Sequence, residues 1–272
     1  MIREPFPNSS CTRLPSKPPP GCGFVNFRDA LIRPLPSNRF LVVGCDASGG
    51  IGPKELDVLK VDGKVLGRFI VRTALMEVMA VGAKPLCVAC GLGVEPDPTG
   101  NRIINGVKYE MRKVGLRPDS ALVVSTQKTF ETAQTGVGIT VVGIAKSKDL
   151  IIGRSKSGDV VVSVGLPSVG EEVLENEAKG LIADIDDLLK LLSSNFIHSI
   201  IPVGSKGVQY ELGVLAIESG LKPIVAENLE VNIKKSAGPS TVLLASLRKS
   251  NVNDLRGLLN KPMSTIATLN KL

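Results

Sequence analysis

The chain has 272 residues, of which 43% are hydrophobic and 22% charged, and this composition predicts a globular protein with a substantial core. The formal net charge is +7, but residues 1–39 hold six basic side chains against two acidic ones, which leaves only +3 for the remainder of the chain. Aromatic residues make up 3% and tryptophan is absent, so platforms that stack single-stranded nucleic acid are lacking. We therefore do not expect nucleic acid as a partner.

The sequence also argues against a membrane protein. No apolar run approaches the roughly 20 residues that cross a bilayer, and the first residues lack the apolar segment of a signal peptide. These features predict a cytoplasmic protein without a membrane partner. At roughly 100–200 residues per domain, the length favours two domains.

Residues 1–27 form a proline-rich basic arm. Eight of the 18 prolines fall within residues 1–37, three of them consecutive at residues 18–20. Such a segment is extended and poor in packed structure. It is either a loose arm or a lid that folds over an active site and is anchored by Phe24.

The most informative stretch begins with an apolar run at residues 41–43 and ends at Lys54. We predict a buried strand that ends in the carboxylate of Asp46 and opens into a glycine-rich loop. Glycine permits positive φ and brings backbone N–H groups close to an anion. The glycines expected to line it are Gly49, Gly50 and Gly52. A carboxylate beside a phosphate calls for a divalent cation, and Mg²⁺ is usually held by one or two carboxylates plus phosphates. The stretch predicts a magnesium-nucleotide site; an ordinary glycine turn is the alternative.

A second carboxylate lies on a predicted helix at residues 65–83. Glu77 stands on or beside the apolar stripe of this helix, where an ionised side chain is costly unless it is paired or binds a metal. The two interpretations are a metal ligand and a salt bridge with Arg72 or Lys84.

The remainder of the first half continues with short elements. Cys87 and Cys90 form a C-x-x-C within a predicted strand, and we expect both thiols to be buried and reduced. The predicted elements are a strand at 85–90, a helix that starts near 97 and ends near 115, and strands at 121–125 and 137–144. A polar loop separates the last two strands. Clustered Lys, Ser, Asp and Gly at residues 146–158 mark a domain boundary, so we predict domains at residues 28–148 and 158–272.

The second half repeats the alternation of strands and helices. The predicted elements are strands at 159–164, 199–203, 222–226 and 241–247 and helices at 171–178, 185–192 and from 208 onward. The fold class is therefore α/β (α+β). A short glycine loop at residues 204–207 joins a strand to a helix N-terminus, an arrangement that binds phosphate or serves as an ordinary turn. His198 is the single histidine, and we expect a structural role for it.

Residues 45–54 and 76–85 carry a family resemblance. The first places an Asp before G-I-G-P-K, and the second places an acidic helix residue before G-A-K-P. They resemble the T-D-G-V-G-T-K and N-D-[LI]-x-x-x-G-A-x-P segments of the ATP-binding superfamily of aminoimidazole ribonucleotide synthetase. Thiamine-monophosphate kinase, selenophosphate synthetase and the hydrogenase maturation dehydratase belong to that superfamily. The strand and glycine turn predicted at residues 158–167 are similar to the start of the second domain in that superfamily.

The resemblance implies a two-domain enzyme that binds ATP and Mg²⁺ at the domain junction. It also implies a homodimer whose N-terminal domains build a shared β-barrel. Asp46 and Glu77 would hold the metal and, with Lys54, form the catalytic set. The implied nucleotide-binding residues are Asp46, Gly49, Gly50, Gly52, Lys54, Thr126, Gln127 and Thr135, and the implied substrate-binding residues are Ser205, Lys206, Lys235 and Ser236.

Two departures from the family pattern concern metal binding. Glu77 stands where the family usually has Asp, which moves the carboxylate by one methylene. The family's third motif, G-G-[DE]-T, aligns with residues 123–127, where no carboxylate occurs before Glu131. The amide oxygen of Gln127 is the available substitute.

The predicted function is an ATP- and Mg²⁺-dependent phosphotransferase that acts on a small metabolite. The sequences of residues 202–207 and 236–239 resemble those of a branch of the superfamily that includes α-ribazole kinases. This resemblance favours a riboside or a vitamin precursor as the substrate. The alternatives are an ATP-dependent synthetase or cyclase that activates an amide or carbonyl oxygen, and a nucleotide-binding module without turnover.

Overall fold

The computed structural model describes residues 28–272, so the predicted arm at residues 1–27 lies outside it. The strands are β1 (Ala30–Leu35), β2 (Arg39–Gly49), β3 (Ile51–Gly52), β4 (Leu59–Lys60), β5 (Lys84–Leu92), β6 (Leu122–Thr126), β7 (Gly136–Lys146), β8 (Asp159–Val164), β9 (Ile197–Val203), β10 (Leu221–Val225), β11 (Val242–Arg248) and β12 (Met263–Lys271). The helices are α1 (Gly63–Ala80), α2 (Asn101–Lys113), α3 (Pro118–Ala121), α4 (Glu172–Ala178), α5 (Ile185–Ser193), α6 (Val208–Glu218) and α7 (Val252–Leu258).

The first half forms a five-stranded sheet in the order β1-β2-β7-β5-β6. All neighbours are antiparallel except β5 and β6. Alternate residues on one face, including Val88, Ile139 and Val141, are buried in the same core as apolar residues of α1 and α2. Because successive side chains of a strand point to opposite faces, one face of this sheet packs against helices and the other is an outer face.

The second half forms an antiparallel five-stranded sheet in the order β10-β12-β8-β11-β9. Leu212 and Leu215 of α6 pack with one side of this sheet, while Leu188 and Leu191 of α5 belong to the core on the other. Every residue of β8 is buried because this central strand is covered on both faces.

Helix α1 connects the two halves. It begins after Asp62, whose side chain accepts a hydrogen bond from the Lys64 N–H as an N-cap, and most of its residues are buried. The core cluster that contains α1 also contains residues of β2, β7, β8 and β9, so one apolar core runs through both sheets. The predicted boundary at residues 146–158 falls between β7 and β8, where the chain passes from the first sheet to the second. The division into domains at 28–148 and 158–272 remains a prediction.

The mixed α/β class is confirmed, and three local predictions were wrong. Strand β2 does not end near Asp46 but continues to Gly49, because Asp46–Gly49 pair with residues 136–139 of β7. Cys87 is exposed while Cys90 is buried, since residues three apart in a strand lie on opposite faces. The helix α7 and the strand β12 were not predicted.

No helix among residues 28–272 combines the length and the apolar character that a membrane crossing requires.

Candidate active site at the junction of the two sheets

A cavity of about 340 Å³ lies between the two halves of the chain. One wall consists of β2 and one face of α1. The opposite wall consists of the loops that follow β8 and β9 and the turn that precedes β11. The site is thus built by segments more than one hundred residues apart in sequence, and both halves are needed to close it.

Asp46 and Glu77 both line this cavity. Asp46 comes from β2 and Glu77 from α1, and the reason they meet is Gly44, two residues before Asp46 on the same face of the strand. A side chain at Gly44 would stand about 3.0 Å from the Ala74 carbonyl oxygen and 3.4 Å from the Cβ of Glu77. The missing side chain lets α1 pack closely on β2, so that Glu77 of the helix and Asp46 of the strand line the same cavity.

The surroundings of both carboxylates favour the protonated form. Burial, and after it the nearby carboxylate of Glu211, raise the pKa of Glu77 to about 8 although the charge of Arg28 opposes the shift. Burial likewise raises the pKa of Asp46 to about 6, against hydrogen bonds from the Ala47 N–H and the Thr73 hydroxyl. A cation between the two groups would relieve this cost of ionisation.

The alternative interpretation of Glu77 as a salt-bridge partner of Arg72 or Lys84 was wrong. Arg72 instead donates from Nη2 to Glu110 at 2.8 Å and to Glu177 at 3.0 Å. Within residues 28–272, Glu77 forms no ion pair. Its carboxylate is therefore available to a ligand of the cavity.

The glycine-rich segment after Asp46 supports the wall of the site through its own hydrogen bonds. The Gly50 N–H donates to the Thr135 carbonyl oxygen at 2.9 Å, and a side chain at Gly52, which has a positive φ of 150°, would collide with Thr135 and Asp57. The carboxylate of Asp57 accepts hydrogen bonds from the Thr135 N–H, the Thr135 hydroxyl and the Lys54 N–H at 2.7–2.8 Å. Of the three glycines predicted to line an anion, Gly49 pairs with Gly136 of β7 and Gly50 donates its N–H to the protein itself. None of Gly49, Gly50 and Gly52 is among the residues that line the cavity.

Lys54 is not among the residues that line the cavity. Its Nζ lies 2.6 Å from Oε2 of Glu95. Burial opposes the ionisation of Glu95, but the hydrogen bonds from Lys54 and Thr99 outweigh it and lower the pKa of Glu95 to about 2. The structure does not bring the ammonium group of Lys54 together with Asp46 and Glu77, and a contact with a phosphate would require it to leave Glu95.

Thr126, Gln127 and Thr135 also lie outside the lining of the cavity. The Gln127 N–H donates to the Leu92 carbonyl oxygen, and its side-chain oxygen accepts from the Thr129 N–H at 3.0 Å. Thr135 is buried and bonded to Asp57. The side chains of Gln127 and Thr135 thus have hydrogen-bond partners within the protein in place of the predicted ligand.

Of the four predicted substrate residues, Ser205 lines the cavity. Lys206 extends from the same loop, with its Nζ 3.3 Å from Oδ1 of the cavity residue Asp29 and 4.5 Å from the centre of the Tyr210 ring. Lys235 is paired with Glu172 at 2.5 Å, and the Ser236 hydroxyl accepts from the Gly238 N–H at 3.4 Å. These three residues stand next to lining residues rather than among them.

Several residues of the site were not predicted from the sequence. Phe69 and Thr73 line the cavity from the same face of α1 as Glu77, a placement that their spacing of four residues could have shown. Asp29 and Ser240 line it from distant segments, for which the sequence holds no pattern. The Ser240 hydroxyl is buried and has no hydrogen-bond partner among the residues that the structure describes.

The donor set at the cavity fits Mg²⁺ when a phosphorylated ligand is bound. Between residues 28 and 272 no group of three or more His, Cys, Asp or Glu side chains is arranged to hold a metal. Mg²⁺ does not need such a cage, because it usually takes one or two carboxylates and completes its shell with phosphate oxygens and water. Asp46 and Glu77 supply that number.

Comparison with known proteins rests on structure alone. No protein-family model matches the sequence, and no curated protein matches it. Thiamine-monophosphate kinase from Stenotrophomonas maltophilia K279a is 16% identical with a TM-score of 0.59, and the match covers 90% of this chain and 89% of that one. The E. coli hydrogenase maturation protein HypE is 13% identical with a TM-score of 0.61 over 84% and 80% of the two chains. T. maritima PurL complexed with ADP is 15% identical with a TM-score of 0.62, over 92% of this chain and 43% of that one.

These matches span both sheets and the cavity between them. Because the sequence identities are low, these matches show a shared fold and nothing more. The shared fold agrees with the resemblance found in residues 45–54 and 76–85. The chain has the fold of thiamine-monophosphate kinase, HypE and PurL, the fold of the aminoimidazole ribonucleotide synthetase-like enzymes.

Proposed function

We propose that this protein is an ATP- and Mg²⁺-dependent phosphotransferase that acts on a small metabolite. The observation that carries the proposal is the cavity between the two halves, with the carboxylates of Asp46 and Glu77 on one wall and Ser205 on the other. Structures of the same fold contain nucleotides: one is AaThiL complexed with AMPPCP and TMP, and another is HypE in complex with ATP.

The two walls suggest a division of labour. Asp46 and Glu77 would hold Mg²⁺, which neutralises phosphate charge and orients the triphosphate. Apolar side chains of α1, among them Leu66, Phe69 and Ile70, would contact the organic part of a ligand and exclude water. Ser205 and the turn before β11 would face the acceptor. Phosphoryl transfer needs mainly in-line positioning and charge stabilisation, and this arrangement supplies both.

The test is a search for the transferred phosphate. The protein is incubated with ATP, Mg²⁺ and a panel of ribosides and vitamin precursors, and products are followed by ³¹P NMR. We expect acceptor-dependent ADP formation with a stable phosphorylated product. Free phosphate together with a cyclised or dehydrated product would instead identify a synthetase, and absence of ADP with every acceptor would contradict catalysis.

Two variants sharpen this assay. Asp46→Asn should reduce turnover at least 100-fold, because it removes a charged ligand from the metal site. Glu131→Gln changes an exposed carboxylate outside the lining of the cavity and should leave turnover unchanged. If both variants behave alike, Asp46 does not have the proposed role.

We also propose that the protein is a homodimer whose first sheets face each other in a shared barrel. Cys45, Thr140, Ala89 and Val123 form one row across the outer face of this sheet. Val123 is 66% exposed, and Leu86 at the same sheet is 46% exposed. Within residues 28–272 no helix packs over this apolar face, and a second copy of the chain would bury it.

A further inference from the structure

A second concave surface lies at the other end of the second sheet. Its lining residues stand at the start of β8 and β9 and at the end of β11, where Asp159 pairs in register with Arg248. The active-site loops follow the opposite ends of β8 and β9, about 20 Å away at roughly 3.3 Å per strand residue. We call this surface, lined by residues 154, 156, 195–198, 248 and 251, the basic groove.

The basic groove carries positive charge that the described chain does not neutralise. Arg154, Lys156 and Arg248 line it and are exposed. None of the three forms an ion pair with a carboxylate in residues 28–272. One guanidinium nitrogen of Arg154 donates to the Lys148 carbonyl oxygen at 2.5 Å. The other side-chain donors of Arg154, Lys156 and Arg248 have no side-chain acceptor among residues 28–272.

A carboxylate at the start of β8, that of Asp159, is bonded to other partners. Asp159 is buried, and its Oδ2 accepts from the Lys156 N–H and lies 2.6 Å from Nδ1 of His198. This bond fixes the orientation of the imidazole ring. The other ring nitrogen, Nε2, has no hydrogen-bond partner among the described residues, and His198 lines the groove. When the imidazole is protonated, its Nε2–H is a further hydrogen-bond donor beside the three basic side chains.

The size and remaining lining of the groove suit a small molecule. Its volume is about 720 Å³, within the range of small-molecule clefts. Phe196 supplies apolar surface, and the side-chain amides of Asn195 and Asn251 supply neutral polar groups. The chain outside residues 1–39 carries a net charge of only +3, so the attraction of this part of the chain for a long polyanion is weak overall.

We propose that the basic groove is a second ligand site that binds the phosphate group of a small phosphorylated molecule. Two guanidinium forks and an ammonium group around one depression match the geometry and charge of phosphate oxygens. The site is separate from the active-site cavity and does not depend on the function proposed for that cavity.

The single histidine of the chain provides a direct readout. In the full-length protein, the ¹H–¹⁵N signals of the imidazole ring report only on His198. We titrate pyrophosphate at constant pH, with KCl added to hold the ionic strength constant. The expected result is a saturable shift of the ring signals, weakened at least tenfold in Arg154→Gln/Arg248→Gln.

Controls separate the groove from general electrostatics and from the active site. Arg33→Gln/Arg39→Gln removes the same charge from an exposed hairpin and should leave the titration unchanged. Asp46→Asn should also leave it unchanged. Lys156→Gln serves as an independent variant with an expected severalfold loss, in case the double variant alters the fold.

Several results would overturn the proposal. They are the lack of a saturable response of His198, a titration that neither Arg154→Gln/Arg248→Gln nor Lys156→Gln weakens, and an equal response to citrate, which would remove the preference for phosphate. A response to a random-sequence oligonucleotide at lower concentration than to pyrophosphate would assign the groove to nucleic acid instead.

Discussion

Arg28 shows how a single side chain ties the start of the described chain to the second half. Its Nε and Nη2 donate to the two oxygens of Glu218, both at 2.8 Å, and its Nη1 donates to the Ile200 carbonyl oxygen at 2.5 Å. Only 2% of each charged side chain is exposed. The next residue, Asp29, lines the cavity between the two halves, so this pair also positions the edge of the candidate site.

We predict that Glu218→Gln lowers the free energy of unfolding by about 3–5 kcal/mol, because it removes the charge of the carboxylate that is hydrogen-bonded to the buried guanidinium. Urea denaturation at neutral pH measures the difference. Arg102→Gln breaks an ion pair whose arginine is 61% exposed and should cost less than about 1 kcal/mol. If both variants lost a similar amount of unfolding free energy, burial would not be what makes the Arg28–Glu218 pair important.

Asp57 stabilises the segment between β3 and β4. Burial opposes its ionisation, but hydrogen bonds from Thr135 and from the Lys54 N–H outweigh it and lower the pKa of Asp57. Because the folded-state pKa lies below the unfolded value, this contribution to stability is present above the unfolded pKa of about 4 and is lost as the pH falls through the folded-state pKa.

We therefore predict that Asp57→Asn costs about 1–3 kcal/mol at pH 7 and that the difference from wild type shrinks below about pH 4. Denaturant unfolding at a series of pH values measures it. Glu55→Gln, at an exposed neighbouring position, should be neutral throughout. A cost for Asp57→Asn that grows as the pH falls would contradict the assigned direction of the pKa shift.

Among the elements, α1 and α2 approach each other through glycine. A side chain at Gly67 would overlap the backbone carbonyl of Ile103, and one at Gly106 would overlap the carbonyl of Lys64. Backbone atoms of a packed helix have little room to move. This close approach fixes the position of α1, and with it the positions of Phe69, Thr73 and Glu77 on the cavity wall.

We predict that Gly67→Ala destabilises the protein by about 1–3 kcal/mol or more through overpacking. Gly213 in α6 is a matched control, because a side chain there would meet no atom within 4 Å. Gly213→Ala should stabilise by about 0.5–1 kcal/mol through helix propensity. Thermal unfolding of both variants tests the contrast, and equal effects would mean that contact between the helices does not decide the outcome.

The elements were predicted best where hydrophobic periodicity was strong. Predicted and observed bounds agree for β8, and α1 differs by a few residues. The prediction failed at β2, since the glycine signal for a turn was overridden by pairing with β7 about ninety residues later. It also failed at β12, where a register shift between Thr265 and Ala267 breaks the alternation, so that the fully buried Ile266 and Leu269 stand three residues apart.

The same contrast holds for the candidate site. Glu77 was singled out because a carboxylate on an apolar stripe needs an explanation, and the structure places it on one cavity with Asp46. Lys54 was singled out by motif spacing alone, and the structure pairs it with Glu95, 41 residues away. A spacing in sequence does not specify a long-range partner, whereas the cost of burying a charge follows from the residue itself.

For the protein as a whole, the outer face of the first sheet predicts self-association. Size-exclusion chromatography with light scattering should give a dimer at micromolar concentration. Val123→Glu places a charge on the apolar face, at the exposed position of its edge strand β6, and should shift the protein to a monomer. Val225→Glu, on an exposed residue of the second sheet, should leave the dimer intact. A wild-type monomer, or a dimer indifferent to Val123→Glu, would contradict the proposed interface.

The junction of the two halves gives the molecule its proposed chemistry, and calorimetric titration with ATP tests it most directly. Wild type should bind ATP far more tightly with Mg²⁺ than without, whereas Asp46→Asn and Glu77→Gln should each lose this dependence on Mg²⁺. Glu131→Gln should keep it. If both cavity variants bound Mg²⁺-ATP as tightly as wild type does, the two carboxylates would not be the metal ligands, and the assignment of the cavity as a nucleotide site would be contradicted.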